Sequence, residues 1–112
     1  MLALNGATKI FCCKTPIHMN RSFTSLPCLV KQYFDQDAAS GHLFIFFNKT
    51  FTTVKILYWD NDGYAIWTKQ LVNGRFKFPQ SSDGKLQLDI RELYSILAGI
   101  EPKNYHKRFR IN

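Results

Sequence analysis

The chain has 112 residues, the size of one domain, because two domains of half this length would each have only a marginal hydrophobic core. Apolar residues make up 46% of the sequence, which excludes a disordered chain. Fifteen lysines and arginines against eight acidic residues give a net charge of +7, and this excess favours a polyanionic partner such as nucleic acid.

The cysteines and the apolar runs bear on the compartment of the protein. Cys12, Cys13 and Cys28 are an odd and partly adjacent set, unlike the disulfide framework of a small secreted domain. We therefore expect a reducing cytoplasm, with all three thiols buried as small apolar residues. The N-terminus has no basic region before its apolar stretch, and the longest uninterrupted apolar run is residues 43–47. The sequence thus predicts neither a secretion signal nor a transmembrane span.

The first half of the chain predicts a strand, a helix and a second strand. Residues 7–13 suit a half-buried strand. Apolar side chains three and four apart predict an amphipathic helix over residues 20–34, whose regular part begins near Ser25 because Pro27 is tolerated only in a first turn. Residues 43–47 are all apolar, which is typical of a central strand covered on both faces.

The middle of the chain predicts an antiparallel β-meander. Residues 53–59 and 64–71 are rich in β-branched and aromatic side chains, and the turn residues 60–63 join them. Asn73-Gly74 is a strong hairpin signal. Alternating basic and aromatic residues at 75–78 then predict a last strand. The meander is expected to carry one basic face.

A second helix and a basic tail complete the predicted fold. The helix begins at Asp89, where Glu92 follows at the capping-box spacing, and Gly99 lies near its end. Residues 103–112 contain four basic residues and no acidic one. We expect a single α+β domain over residues 1–102, with a meander of about five strands, two helices packed on it and a flexible basic tail at residues 103–112.

Basic and aromatic side chains are the candidate functional residues. Lysines and arginines neutralise phosphates, and exposed aromatic rings stack on unpaired bases. The expected phosphate contacts are Lys49, Lys55, Lys69, Arg75, Lys77, Lys107, Arg108 and Arg110, and the candidate stacking residues are Trp59, Tyr64 and Trp67. The alternative is that most of the aromatic rings belong to the core and that the lysines only solvate the sheet.

Catalytic chemistry has little support in the sequence. Asp60 and Asp62 are explained by the preference of acidic and amide side chains for tight turns. Cys12 and Cys13 are neighbours on a predicted strand and therefore point to opposite faces, which is unsuited to a zinc site with His18. Phosphate-binding glycine loops of the familiar patterns are missing from the sequence. We predict no catalytic residue, no metal and no cofactor.

Several segments together resemble one family. MNRSF at 19–23, SGHLFIF at 40–46, VKILYWDNDG at 54–63 and KQLVNGRFKFP at 69–79 occur in the order seen in the small accessory protein, TnpB or second reading frame, of bacterial IS66-type insertion sequences. Residues 88–100 resemble the last helix of that family. The resemblance covers roughly residues 7–101. It does not extend to the unrelated RNA-guided nuclease that shares the TnpB name.

The resemblance implies a process, DNA transposition, in which this family acts beside a larger transposase that carries the catalytic acids. It implies DNA and the transposase of the same element as partners. The chain departs from the family after the Phe-rich strand, where NKTFTT keeps only Lys49 in place of several arginines. His18 and Asn20 also stand where the family usually shows an acid and an arginine.

Three functional hypotheses follow. The leading one is a non-enzymatic accessory protein that contacts DNA through the basic residues. The second is a module that docks on the transposase without touching DNA, either through an aromatic patch around Trp59 and Trp67 or at a sheet edge. The third is a small hydrolase or nuclease.

Overall fold

A computed structural model describes residues 6–77 and 87–98, which form one sheet and two helices. In chain order the elements are β1 (Ile10–Cys12), α1 (Leu26–Phe34), β2 (Leu43–Phe47), β3 (Thr53–Asp60), β4 (Gly63–Gln70), β5 (Gln87–Leu88) and α2 (Ile90–Ala98). The predicted tail at 103–112, Phe78 and Gly99 lie outside the described residues.

The sheet has the strand order β4-β3-β2-β1-β5. β2, β3 and β4 form the predicted antiparallel meander, in which Ile56 of β3 lies between Ile45 and Trp67. β1 pairs with β2 in parallel, and β5 pairs with β1 in antiparallel orientation. The helix α1 makes the crossover that a parallel pair requires. The α+β class and the single domain with two helices are therefore confirmed, although the sheet is not a pure meander.

The prediction of a strand at residues 75–78 is wrong over its described part, residues 75–77. The chain bends at Asn73-Gly74, where Gly74 has φ +83°, but it then turns across the end of the sheet and does not pair with β4. The Phe76 amide donates to the Phe51 carbonyl at 2.7 Å, and its side chain is only 2% exposed. Burial of this ring outweighs the local preference for a hairpin. The fifth strand is instead β5.

The first helix is shorter than predicted. α1 begins at Leu26, with Pro27 in its first turn and Ser25 at the N-cap position, as the sequence indicates. The residues before Ser25 form turns instead of helix. At the other end Asp35 adopts a left-handed conformation with φ 52°, and its amide donates to the Lys31 carbonyl at 3.0 Å. β1 is likewise shorter than the predicted strand.

Each face of the sheet is covered by one helix. The α1 face carries Phe44, Phe46 and Leu57, which pack with Leu26 and Val30. The α2 face has its own buried set, whose members are Ile10, Cys12, Leu43, Ile45, Phe47, Val54, Ile56, Tyr58, Phe76, Leu88, Leu93 and Ile96. All five residues of β2 are buried, which confirms the predicted central strand.

The second helix begins as predicted. The Asp89 amide donates to Glu92 Oε1 at 3.0 Å, and the Glu92 amide donates to Asp89 Oδ1 at 2.8 Å. These reciprocal bonds are a capping box. Leu93 and Ile96 then face the sheet and are buried.

Candidate nucleic-acid interface

Three segments meet at one end of the sheet, which we call the basic end: residues 14–18, 48–53 and 71–77. β1 and β2 run toward this end, β3 starts there and β4 finishes there. The Ile17 amide donates to the Phe47 carbonyl at 2.8 Å, and the Phe76 amide donates to the Phe51 carbonyl at 2.7 Å. None of the three segments contains an acidic residue.

The turn at residues 48–53 is held by its own side chains. Asn48 Oδ1 accepts from the amides of Thr52 at 2.9 Å and Thr53 at 3.0 Å, and Asn48 Nδ2 donates to Thr52 Oγ1 at 3.0 Å. Phe51 takes the left-handed conformation with φ 57° that closes the turn. Lys49 is exposed on this turn. Because the turn is already ordered, binding of a ligand to Lys49 would cost the backbone little further conformational entropy.

Aromatic packing holds residues 71–77 against the turn. The Phe47 ring lies 5.2 Å from the Phe51 ring and 5.9 Å from the Phe76 ring, measured between centroids. Arg75 and Lys77 flank Phe76 and are both exposed. The basic end therefore brings together three of the predicted phosphate contacts, Lys49, Arg75 and Lys77.

Sequence reasoning missed the contribution of residues 14–18 to this site. A shallow cavity of about 280 Å³ is lined by Pro16, Ile17, His18 and Lys49. Lys14 and His18 are exposed beside it. These residues reach the basic end only because β1 pairs in parallel with β2. The local sequence contains no pattern that predicts this pairing.

The acidic residues lie at the opposite end of the sheet, which we call the acidic end: residues 35–37, 60–62 and 89–92. A cavity lined by Asp35, Asp37 and Tyr64 places the end of α1 beside the start of β4. The pairing of Leu88 with Ile10 places the start of α2 there as well. All six acidic residues of the described part are in these segments, namely Asp35, Asp37, Asp60, Asp62, Asp89 and Glu92. Lys9, Lys31 and Arg91 also lie near this end.

Two predicted phosphate contacts, Lys55 and Lys69, donate to backbone carbonyls of the protein itself. Lys55 is half-buried on the α1 face, and its Nζ donates to the carbonyls of Met19 at 2.6 Å and Arg21 at 2.8 Å. Lys69 is half-buried on the α2 face, and its Nζ donates to the Leu97 carbonyl at 2.6 Å near the end of α2. The two lysines are on opposite faces, so the expected single basic face of the sheet is not present. Contact of Lys55 and Lys69 with phosphate stays a prediction.

The two tryptophans do not form one patch. Trp59 pairs with Tyr64 on the α1 face, where the two rings meet edge to face at 5.0 Å and Trp59 Nε1 donates to the Asn61 carbonyl at 3.1 Å. Trp67 pairs with Ile56 and packs on the core of the α2 face. Both are half-buried. A docking surface that combines Trp59 and Trp67 is therefore excluded by the register.

The two neighbouring cysteines lie where the predicted strand requires them to lie. Cys12 and Cys13 are buried on opposite faces, and burial raises the pKa of both thiols. Both groups are therefore held as neutral thiols, which are poor nucleophiles and poor metal ligands. The prediction that Cys28 is buried is wrong, because it is exposed on α1. Within residues 6–77 and 87–98, no three His, Cys, Asp or Glu side chains converge to hold a metal ion.

These observations define the class of protein as a small α+β domain with a basic end. Comparison with known proteins then gives the family. The family model described as IS66 Orf2 like protein matches residues 8–107, and the chain belongs to that family. Membership indicates an accessory role in the transposition of IS66-type insertion sequences.

Two relatives come from Sinorhizobium fredii. The chain is 29% identical to the uncharacterized protein y4jC over 101 residues, which cover 90% of this chain and 86% of the relative. It is 27% identical to the uncharacterized protein y4hO over 92 residues, which cover 82% of this chain and 80% of the relative. No solved structure is significantly similar to the chain. Among the described helices, none has the length and apolar character needed to cross a bilayer.

Proposed function

We propose that the protein is a non-catalytic accessory factor that contacts DNA through the basic end and assists the transposase of its own element. The observation that carries this proposal is the separation of charge along the sheet. Exposed Lys49, Arg75 and Lys77 lie at an end where the structure describes no acidic residue, while all six described acidic residues lie at the other. Such an asymmetric field orients a polyanion toward one end of the molecule.

The geometry favours contact with the phosphate backbone over base recognition. The three cations are on turns and bends at the end of the sheet, and the described tryptophans are packed on its faces. Phosphate contacts position a protein on DNA but carry no sequence information. We therefore propose that the basic end supplies affinity with little sequence preference. The tail residues Lys107, Arg108 and Arg110 are proposed to add further phosphate contacts, on sequence alone.

The proposal is tested by fluorescence anisotropy of the purified full chain with labelled DNA. The probes are duplexes of the element end and of scrambled sequence, together with the matching single strands, over a salt series. We expect the logarithm of the binding constant to fall linearly with the logarithm of the salt concentration, to a similar extent for both duplexes. The Lys107/Arg108/Arg110→Ala variant should bind more weakly and with a shallower slope.

Two results would contradict the proposal. Absence of binding to every DNA at low salt would exclude direct contact and leave docking on the transposase as the function. Metal-dependent cleavage of the labelled strands would show that the protein is an enzyme.

A further inference from the structure

Within the described part of the chain, the outer edge of β4 is an open hydrogen-bonding edge. β4 is the terminal strand of the sheet, and no described residue pairs with its outer side. It is eight residues long, and its register with β3 runs without a bulge from Asp60↔Gly63 to Thr53↔Gln70. β5, the strand at the other edge, has only two residues.

β4 lacks the features that usually protect an edge strand. Proteins blunt such edges with prolines, bulges, short strands or charged side chains. β4 contains no proline, and its one charged residue, Lys69, is tied to the Leu97 carbonyl on the α2 face. Its side chains are otherwise neutral, and several are apolar.

The alternation of hydrogen bonds between β3 and β4 shows which backbone groups of β4 point away from β3. The Leu71 amide donates to the Thr52 carbonyl at 2.8 Å, so residues 71 and 52 are a hydrogen-bonded pair. In an antiparallel ladder these pairs alternate, so residues 63, 65, 67 and 69 also bond to β3. The backbone amides and carbonyls that face outward therefore belong to Tyr64, Ile66, Thr68 and Gln70.

We propose that β4 pairs in antiparallel orientation with β4 of a second copy, so that the two sheets become continuous across a twofold axis at Trp67. In this register Ile66 lies opposite Thr68 of the second copy, and Tyr64 lies opposite Gln70. All four outward residues of both copies are then used, and each such pair exchanges two hydrogen bonds. Trp67 meets Trp67 of the second copy, a favourable aromatic cross-strand pair.

The charge distribution favours a second copy of the chain as the partner of the β4 edge. Antiparallel pairing places the acidic end of each copy alongside the basic end of the other, so that Asp60 and Asp62 lie toward the segment that carries Arg75. Lys69 falls opposite Ala65 of the second copy, so no two like charges face each other along the strands. Because only one strand of each copy takes part, we expect the interface to be smaller than the roughly 1,600 Å² of a standard one, and the dimer to be reversible.

A proline substitution tests the edge directly. Thr68→Pro removes an outward amide without removing a bond between β3 and β4, and prolines are tolerated at such positions of edge strands. Thr68→Ala is the matched control, because it shortens the same exposed side chain and keeps the amide. In sedimentation over a concentration series, we expect the wild-type chain and Thr68→Ala to dimerise. Thr68→Pro should weaken the dimer by roughly tenfold or more.

Residue-resolved amide exchange supplies a measurement that needs no variant. For the wild-type chain, the outward amides of Ile66 and Thr68 should become protected as the concentration rises, while the inward amides of Ala65 and Trp67 stay protected throughout. Three results would overturn the proposal: a monomer at all concentrations, a dimer that folded Thr68→Pro leaves unchanged, or outward amides protected even in the monomer. Protection that appears only when the transposase is added would assign the edge to that partner instead.

Discussion

Lys49 and Lys55 have the same side chain but different environments. The ammonium group of Lys55 donates to two backbone carbonyls of the segment that precedes α1, whereas Lys49 is exposed on a turn. Charged hydrogen bonds that are partly shielded from water contribute to the stability of the fold, while an exposed charge contributes to the field that a ligand meets.

We therefore expect Lys55→Met to lower the free energy of unfolding by about 1.5 to 3 kcal/mol, because two carbonyls lose a charged donor. Lys49→Met is the matched control and should change stability by less than about 0.5 kcal/mol, as is usual for exposed sites. Urea denaturation measures both. Equal stability of the two variants would contradict the structural role of Lys55.

The three cysteines also differ in their exposure to solvent. Cys28 is exposed, but Cys12 and Cys13 are buried and their thiols have raised pKa values. A thiol reagent should therefore modify one cysteine per native chain and all three after denaturation, because only an accessible thiolate reacts. In the Cys28→Ser variant the native protein should not react. Rapid modification of two or three thiols in the native chain would contradict the burial of Cys12 and Cys13.

At the level of elements, the segment at residues 71–77 connects stability to the candidate site. Phe76 is buried against Phe47 and bonds through its amide to Phe51, so it fixes the position of Arg75 and Lys77. The segment has no regular secondary structure of its own. Phe76 anchors its second half, while the bond from the Leu71 amide to the Thr52 carbonyl holds its start.

Phe76→Ala is expected to destabilise the fold by about 3 to 5 kcal/mol through the cavity that it leaves. Under conditions where the variant is still folded, it should also bind DNA more weakly, although no charge has been removed. Val72→Ala is the control in the same segment, because Val72 is 95% exposed. Thermal unfolding and anisotropy measure the two effects. Unchanged DNA binding by a folded Phe76→Ala variant would show that the position of Arg75 and Lys77 does not matter.

The elements that the sequence predicts correctly depend on local signals. The apolar run of β2, the tight turn between β3 and β4 and the capping box of α2 each involve residues close together in the chain. The parallel pairing of β1 with β2 is not local, since α1 and its connections separate the two strands. The alternation at residues 75–77 suits a strand, but burial of Phe76 outweighs that preference.

The candidate site is predictable only in part for the same reason. Lys49, Arg75 and Lys77 belong to the predicted set, and hydrogen bonds between distant segments bring their turns together. The roles of Lys55 and Lys69 depend on carbonyls of the segment before α1 and of α2, which no spacing in the sequence reveals. The register likewise separates Trp59 from Trp67, which the order of aromatic residues along the chain cannot show.

At the scale of the whole molecule, charge is separated along the described sheet, and we propose that the basic end contacts DNA. Net charge alone would also attract a polyanion, wherever the charges were placed. The two explanations differ in what happens when equal charge is removed from different places. The chain offers a matched pair of triple variants for this comparison.

The most direct test is the salt dependence of duplex DNA binding by Lys49/Arg75/Lys77→Ala and by Lys9/Lys31/Arg91→Ala. Each variant removes three positive charges from the net +7, the first at the basic end and the second near the acidic end. We predict that the first variant binds at least about tenfold more weakly, with a slope shallower by roughly one unit for each phosphate that the protein no longer neutralises, and that the second retains the wild-type slope. Equal weakening of the two variants would contradict the proposed interface, because it would show that DNA responds to net charge and not to the basic end.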